Sequence, residues 1–140
     1  MLDLDALARF CRENQISYRR DLPMAEYTTF HVGGKADFAA LPSSSEEMTL
    51  LMRELRRIGE TPCLIGKGSN LLISDKGIRG VTVFTWGLSD IRVNGSTIVA
   101  GAGASLSAVC RTAVAESLSG MGFAYGIPGS VGGGVFMDAG

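Results

Sequence analysis

Apolar residues at Leu4, Leu7, Ala8 and Cys11 recur with helical spacing and predict an amphipathic helix from Leu4 to about Asn14. The stretch up to Pro23 is polar and reads as a linker. Thr28-Thr29-Phe30-His31-Val32, rich in β-branched and aromatic residues and closed by Gly33-Gly34, predicts a strand, and Ala36 to Ala40 predicts another that ends at Pro42. At Ser44 the Ser-x-x-Glu spacing to Glu47 forms a capping box, so a helix starts there. Met48, Leu51, Leu55 and Ile58 share its apolar face, and Gly59 stops it. Thr61 to Ile65 then reads as a strand, which completes a β-α-β unit with a glycine-rich loop at its carboxyl end.

The pattern continues with the apolar run Leu71-Leu72-Ile73-Ser74, a turn at Asp75-Lys76-Gly77 and a strand at Val81 to Phe84. Ile91-Arg92-Val93 and Thr97-Ile98-Val99-Ala100 flank Asn94-Gly95, the signal of a hairpin closed by a type I′ turn. Ser105 to Leu118 predicts a helix with Leu106, Val109, Ala113 and Ser117 on one face.

Two glycine-rich segments carry the candidate chemistry: Gly66-Lys67-Gly68-Ser69-Asn70, and Gly126-Ile127-Pro128-Gly129-Ser130-Val131-Gly132-Gly133-Gly134, read as a long loop. Glycine lets backbone N–H groups lie bare against a phosphate, and two such loops suit a long anion such as a dinucleotide held at both ends. Two better-known phosphate motifs are excluded. Gly101-Ala102-Gly103-Ala104-Ser105-Leu106 has Leu106 where a dinucleotide fingerprint needs its third glycine. In Gly66-Lys67-Gly68-Ser69 the lysine precedes a glycine, which breaks the P-loop frame. The single histidine, His31, offers no metal cluster, and Asp37, Asp75 and Asp138 form no carboxylate pair, so no catalytic or metal residue is assigned. Trp86 and Tyr125 have ring faces suited to stacking, with core packing as their ordinary role.

Composition narrows the class further. With 46% hydrophobic and 19% charged residues the chain is globular, and a net charge of -1 leaves no electrostatic footprint for nucleic acid. Arg53, Arg56 and Arg57 share their helix with Glu46, Glu47 and Glu54, which makes a solvated helix face. Cys11, Cys63 and Cys110 are odd in number and widely spaced, against a disulfide framework and in keeping with a reducing compartment. Met1-Leu2-Asp3-Leu4-Asp5 is acidic where a signal peptide is basic, and no apolar run reaches membrane-span length. A cytoplasmic protein with no nucleic-acid or membrane partner is expected.

Four ordered motifs point to a family. They are Tyr27-Thr28-Thr29-Phe30-His31-Val32-Gly33-Gly34; Gly66-Lys67-Gly68-Ser69-Asn70-Leu71-Leu72 with Asp75 and Gly77; Ala100-Gly101-Ala102-Gly103-Ala104; and Gly126-Ile127-Pro128-Gly129-Ser130-Val131-Gly132-Gly133 with Met137-Asp138-Ala139-Gly140. Together they resemble the UDP-N-acetylenolpyruvoylglucosamine reductases (UDP-N-acetylmuramate dehydrogenases), flavoproteins of bacterial peptidoglycan synthesis.

The resemblance implies an α+β architecture, the FAD-binding fold of the vanillyl-alcohol oxidase (PCMH) type, with two small α/β subdomains. An N-terminal helix and linker would occupy residues 1–24, the first subdomain 25–86, and an incomplete, C-terminally truncated second subdomain 87–140. It further implies that FAD is held non-covalently. Gly66, Lys67, Gly68, Ser69 and Asn70, with Gly126, Ile127, Pro128, Gly129, Ser130, Val131, Gly132 and Gly133, would take its pyrophosphate and adenosine portions, and Leu64 and Ile65 would pack beside it. In this family NADPH is the reductant, and the nucleotide sugar UDP-N-acetylglucosamine enolpyruvate is reduced to UDP-N-acetylmuramate. The family's Arg, Ser and Glu of the second step match no position here, so 140 residues alone are expected to be inactive. Asp138 stands where the family usually has Asn, and His31 where Arg or Lys is common. The alternatives are an FAD-linked oxidase of the same fold and a non-catalytic flavin- or nucleotide-binding fragment.

Overall fold

A computed structural model describes residues 1–140. Its centre is a four-stranded sheet of β1 (Ser17–Pro23), β2 (Lys35–Leu41), β3 (Cys63–Ile65) and β4 (Ile78–Phe84), in the order β1-β2-β4-β3. β1 is antiparallel to β2, whereas β2 and β3 both run parallel to β4. The expected β-α-β unit is present, with helix α2 (Ser45–Arg57) carrying the chain from β2 to β3 and β4 inserted between the two strands.

Alternation along β2 and β4 sets the two faces of the sheet. Phe38, Ala40, Val81 and Val83 form one apolar cluster with Leu7, Ala8 and Cys11 of α1 (Leu4–Glu13) and Leu51 and Leu55 of α2. Ala36, Ala39, Ile65 and Phe84 cluster on the other side with Leu22, Met24 and Ile73. The register shifts between Ala36 and Phe38, and Asp37 anchors that irregularity. Its carboxylate accepts from Gly80 N–H at 3.2 Å and pairs with Arg79 at 2.7 Å. Leu51 and Leu55 are fully buried, each worth about 1.5–3 kcal/mol.

Helix α2 starts as the sequence predicts, with Ser44 Oγ accepting from Glu47 N–H at 3.1 Å. The reciprocal bond is displaced by one residue, since Glu47 accepts from Ser43 N–H at 2.7 Å and from Ser43 Oγ at 2.8 Å. Beyond the sheet lie the hairpin of β5 (Ile91–Asn94) and β6 (Thr97–Ala100), helix α3 (Leu106–Ala115), a 3-10 turn at Gly122–Ala124 and the short helix α4 (Val131–Phe136). No helix is long and apolar enough to cross a membrane.

Four expectations are corrected. Residues 17–23, read as linker, are strand β1, paired with β2 at every residue but Asp21, whose φ is 51°. It is an edge strand on which only Leu22 is buried, so it lacks an apolar signature; Tyr18 merely stacks on Phe38 at 5.1 Å. Thr28 to Val32 is not a strand. It is a turn after the 3-10 segment Met24–Tyr27, with His31 at φ 54° and His31 N–H donating to Thr28 O. The glycine stretch 126–134 is not loop throughout, because α4 begins at Val131 with Ser130 Oγ capping it through Gly133 N–H at 3.2 Å. In the hairpin, Asn94 pairs with Thr97 and the turn is Gly95-Ser96. Gly95 at φ 60° takes the first central position, the type II′ pattern rather than I′.

Burial pushes the Cys11 thiol from 9.0 up to about 11, against the lowering influence of Arg12, and burial raises Cys63 as well. The unfolded chain releases these protons at lower pH than the folded one. Stability is therefore full below the unfolded value and lost as pH rises through the folded one. The unfolding free energy, measured by denaturant titration between about pH 8 and about pH 11, is expected to fall across that window. It should fall less in Cys11→Val; an unchanged slope in that variant rejects Cys11 as the cause.

Candidate cofactor-binding site

Strand β3 ends at Ile65, which is buried, and delivers the chain directly into Gly66-Lys67-Gly68-Ser69-Asn70. None of the backbone N–H groups of residues 66–70 donates to an acceptor within the chain. Five successive amides are thus free to bind an external acceptor, and Ser69 Oγ and the Asn70 amide add further polar groups. The loop is nevertheless held firmly from behind. Thr29 N–H donates to Gly68 O at 3.0 Å, Trp86 Nε1–H donates to Gly66 O at 2.6 Å, and Ser69 Oγ reaches Pro128 O at 3.4 Å.

Gly68 has φ +69°, and a Cβ there would collide with the carbonyl oxygen of Tyr27. Glycine is required at this position by close backbone packing, on the side of the loop that rests on Tyr27 and Thr28. Thr28 is itself buried, and its Oγ1 has no hydrogen-bond partner.

The second glycine segment comes to the same place from the other half of the fold. Gly132 N–H donates to Ala102 O and Val131 N–H to Ala104 O, both at 2.8 Å, so the start of α4 is pinned to the turn that precedes α3. A Cβ on Gly66 would approach the Ser130 hydroxyl to 2.6 Å, which shows how closely the two loops meet. Between them lies a cavity of about 720 Å³.

Thirteen of the fifteen predicted binding residues line this cavity: Leu64, Ile65, all five of Gly66 to Asn70, Ile127, Pro128, Gly129, Ser130, Gly132 and Gly133. Gly126 and Val131 do not. Gly126 faces open space, and Val131 lines an apolar recess of about 710 Å³ on the other side of α4. Leu64 is 57% exposed, a free apolar surface on the cavity wall, whereas Ile65 points mainly into the sheet core.

Sequence reasoning missed Thr85, Ala102, Phe136 and Met137, which also line the cavity. Ala102 and Met137 fell within quoted motifs, but their part depends on how the chain returns through space, and Thr85 carried no local signal. Lys67 is the one charged residue on the lining, so the cavity carries a single positive charge. Tyr125 and Trp86 are not on the lining, and Trp86 lies behind the first loop. His31 and Asp138 both occupy left-handed backbone, at φ 54° and 49°. Asp shares Asn's tolerance of that conformation.

At the carboxyl end of a parallel strand, the cavity thus combines glycine-rich walls, one lysine and a run of amides without acceptors in the chain. The FAD binding domain family matches residues 36–140, and the chain belongs to that family, with its α+β FAD-binding fold. Relatives give finer resolution. The chain is 41% identical over 137 residues to the UDP-N-acetylenolpyruvoylglucosamine reductase of Caldanaerobacter subterraneus subsp. tengcongensis, covering 98% of this chain and 45% of that protein. It is 45% identical over 118 residues to the reductase of Lactococcus lactis subsp. cremoris, covering 84% and 40%. Among solved structures it is similar to the UDP-N-acetylenolpyruvylglucosamine reductase (MurB) of Thermus caldophilus, with TM-score 0.68 and 29% identity over 89% of this chain and 42% of that one. The chain spans less than half the length of these relatives.

The contrast between Gly68 and Gly126 gives a paired expectation. Gly68→Ala places a side chain in left-handed backbone against the Tyr27 carbonyl and is expected to cost about 1–2 kcal/mol or more. Gly126→Ala, with no atom within 4 Å of the new Cβ, should be neutral or stabilising by up to about 1 kcal/mol. Denaturation midpoints of the two variants check this, and equal effects reject the packing account of Gly68.

Proposed function

We propose that the chain is the FAD-binding portion of an NADPH-dependent reductase that converts UDP-N-acetylglucosamine enolpyruvate to UDP-N-acetylmuramate. The observation that carries the reading is the run of bare amides from Gly66 to Asn70, facing Pro128 to Gly133 across one cavity. That donor set fits a diphosphate: many N–H groups, one lysine, and no carboxylate on the lining.

In this reading Gly66, Lys67, Gly68, Ser69 and Asn70 receive the pyrophosphate. Ile127, Pro128, Gly129, Ser130, Gly132 and Gly133 close over the remainder of the dinucleotide, and Leu64 offers apolar wall. Gly126 and Val131 act at one remove, by connecting the turn to α4. Bound FAD supplies hydride-transfer chemistry, from NADPH to the enolpyruvyl double bond. The chain's own contribution is to bind and orient the dinucleotide, through amides of which three, those of Gly66, Lys67 and Ser69, belong to peptide units whose carbonyls are tied down by Thr85, Trp86 and Thr29. The two subdomains meet near residue 86, between the end of β4 and the hairpin. The same reading makes the partner a nucleotide-sugar substrate, excludes nucleic acid and membrane as partners, and places the protein in the cytoplasm.

The test is direct. Purified chain mixed with FAD is expected to retain flavin through gel filtration and to release it unmodified on denaturation. With NADPH present, adding the enolpyruvyl substrate should not accelerate NADPH oxidation. Reduction of an alkene needs stabilisation of developing charge and a positioned proton donor, and the Arg, Ser and Glu that serve the second step in the family match no position of these 140 residues. Failure to retain flavin sinks the cofactor assignment. Substrate-dependent turnover near the usual enzyme range of about 1–1000 per second sinks the expectation that these 140 residues alone are inactive.

A further inference from the structure

Trp86 is the only tryptophan of the chain, and it is not on the cavity lining. It follows β4 by two residues, is half-buried, and packs its ring against Phe84 at 4.1 Å and Tyr27 at 5.6 Å. Phe84 is fully buried, and Tyr27 supplies the carbonyl against which Gly68 is packed. The ring is therefore fixed by the sheet on one side and by the support of the glycine loop on the other. From that position its Nε1–H donates to Gly66 O at 2.6 Å, a short bond.

A trans peptide unit is planar, with its C=O and N–H pointing in opposite directions. Holding the Gly66 carbonyl toward Trp86 therefore turns the Lys67 N–H away from it, where the chain provides no acceptor. Gly66 has no Cβ to resist rotation about its own bonds, and nothing else in the chain bonds to its carbonyl. A rotated Gly66–Lys67 peptide would present an oxygen, not a hydrogen, to an incoming phosphate.

We infer that Trp86 is a positioning residue for the dinucleotide: its indole N–H locks the Gly66–Lys67 peptide so that the Lys67 amide is aimed at the diphosphate. The inference rests on the cofactor reading given above and adds a residue that touches no part of the ligand. It assigns an electrostatic role to an aromatic side chain whose ordinary reading is core packing.

Two replacements separate the N–H from the ring. Trp86→Phe keeps an aromatic face without the donor. Biosynthetic replacement of the single tryptophan by its benzothiophene analogue keeps the bicyclic shape and exchanges N–H for sulfur, so it preserves the packing if the phenylalanine variant fails to fold. FAD affinity is measured by flavin fluorescence titration, and the amide proton shifts of Lys67 and Asn70 are followed by NMR with and without saturating FAD. The parent chain is expected to bind FAD and show a downfield Lys67 shift. The sulfur analogue should bind about tenfold more weakly and lose that shift at saturation, while the Asn70 shift persists. Affinity within about twofold of the parent, or weaker binding with the Lys67 shift intact, overturns the positioning role and leaves the cofactor reading standing. A parent chain that binds no FAD overturns both.

Discussion

Backbone meets backbone at the centre of this protein, and the rest depends on that contact. Gly68 rests on the Tyr27 carbonyl with no space for a side chain, and Gly66 lies against the Ser130 hydroxyl. These approaches bring an N-terminal turn, the loop after β3 and the start of α4 into one place, from positions far apart in the sequence. Their consequence is chemical as well as structural. With Gly66 O and Gly68 O taken up by Trp86 and Thr29, the N–H groups of residues 66–70 are left without acceptors in the chain.

The supports of the loop are distributed over both halves of the fold. Thr29 and Trp86 hold it from the sheet side, and Pro128 holds it through Ser69. On the opposite wall, Gly132 and Val131 are tied to Ala102 and Ala104. Each wall is thus fixed by hydrogen bonds that leave the amides of residues 66–70 unused. This construction also relates the glycine content to function indirectly. Gly132 and Gly134 sit against Ala102 and Leu106, where larger residues would separate α4 from the turn and helix beneath it.

The sheet gives this arrangement its rigidity. Phe84, Ile65 and Met24 are buried on the face nearest the loop, while α1 and α2 cover the other face through Leu7, Cys11, Leu51 and Leu55. Because β3 is only three residues long, its pairing with β4 and the burial of Ile65 are what place Gly66. The aromatic trio of Tyr27, Phe84 and Trp86 extends that support past the end of the sheet to the loop itself.

Local physics was legible in the sequence wherever it acted alone. The amphipathic faces of α1 and α2, the Ser44 cap, the hairpin and the two glycine segments could all be read from spacing and residue type. So could most of the residues that line the cavity, because amides left bare by glycine need no distant partner to be recognised. Tertiary structure decided the remainder. The polar edge strand β1 exists because β2 offers it a hydrogen-bonding edge, and the β-prone Thr28 to Val32 became a turn because Gly68 needed its backbone as a support. Three glycines stand in the first turns of α4, against their propensity, because Ser130 caps that helix and a Cβ on Gly132, Gly133 or Gly134 would crowd Ala102, the Ser130 hydroxyl or Leu106 respectively. In each of these places contact between distant segments outweighed a local preference of about 1 kcal/mol or less, and no window of sequence displays that contact.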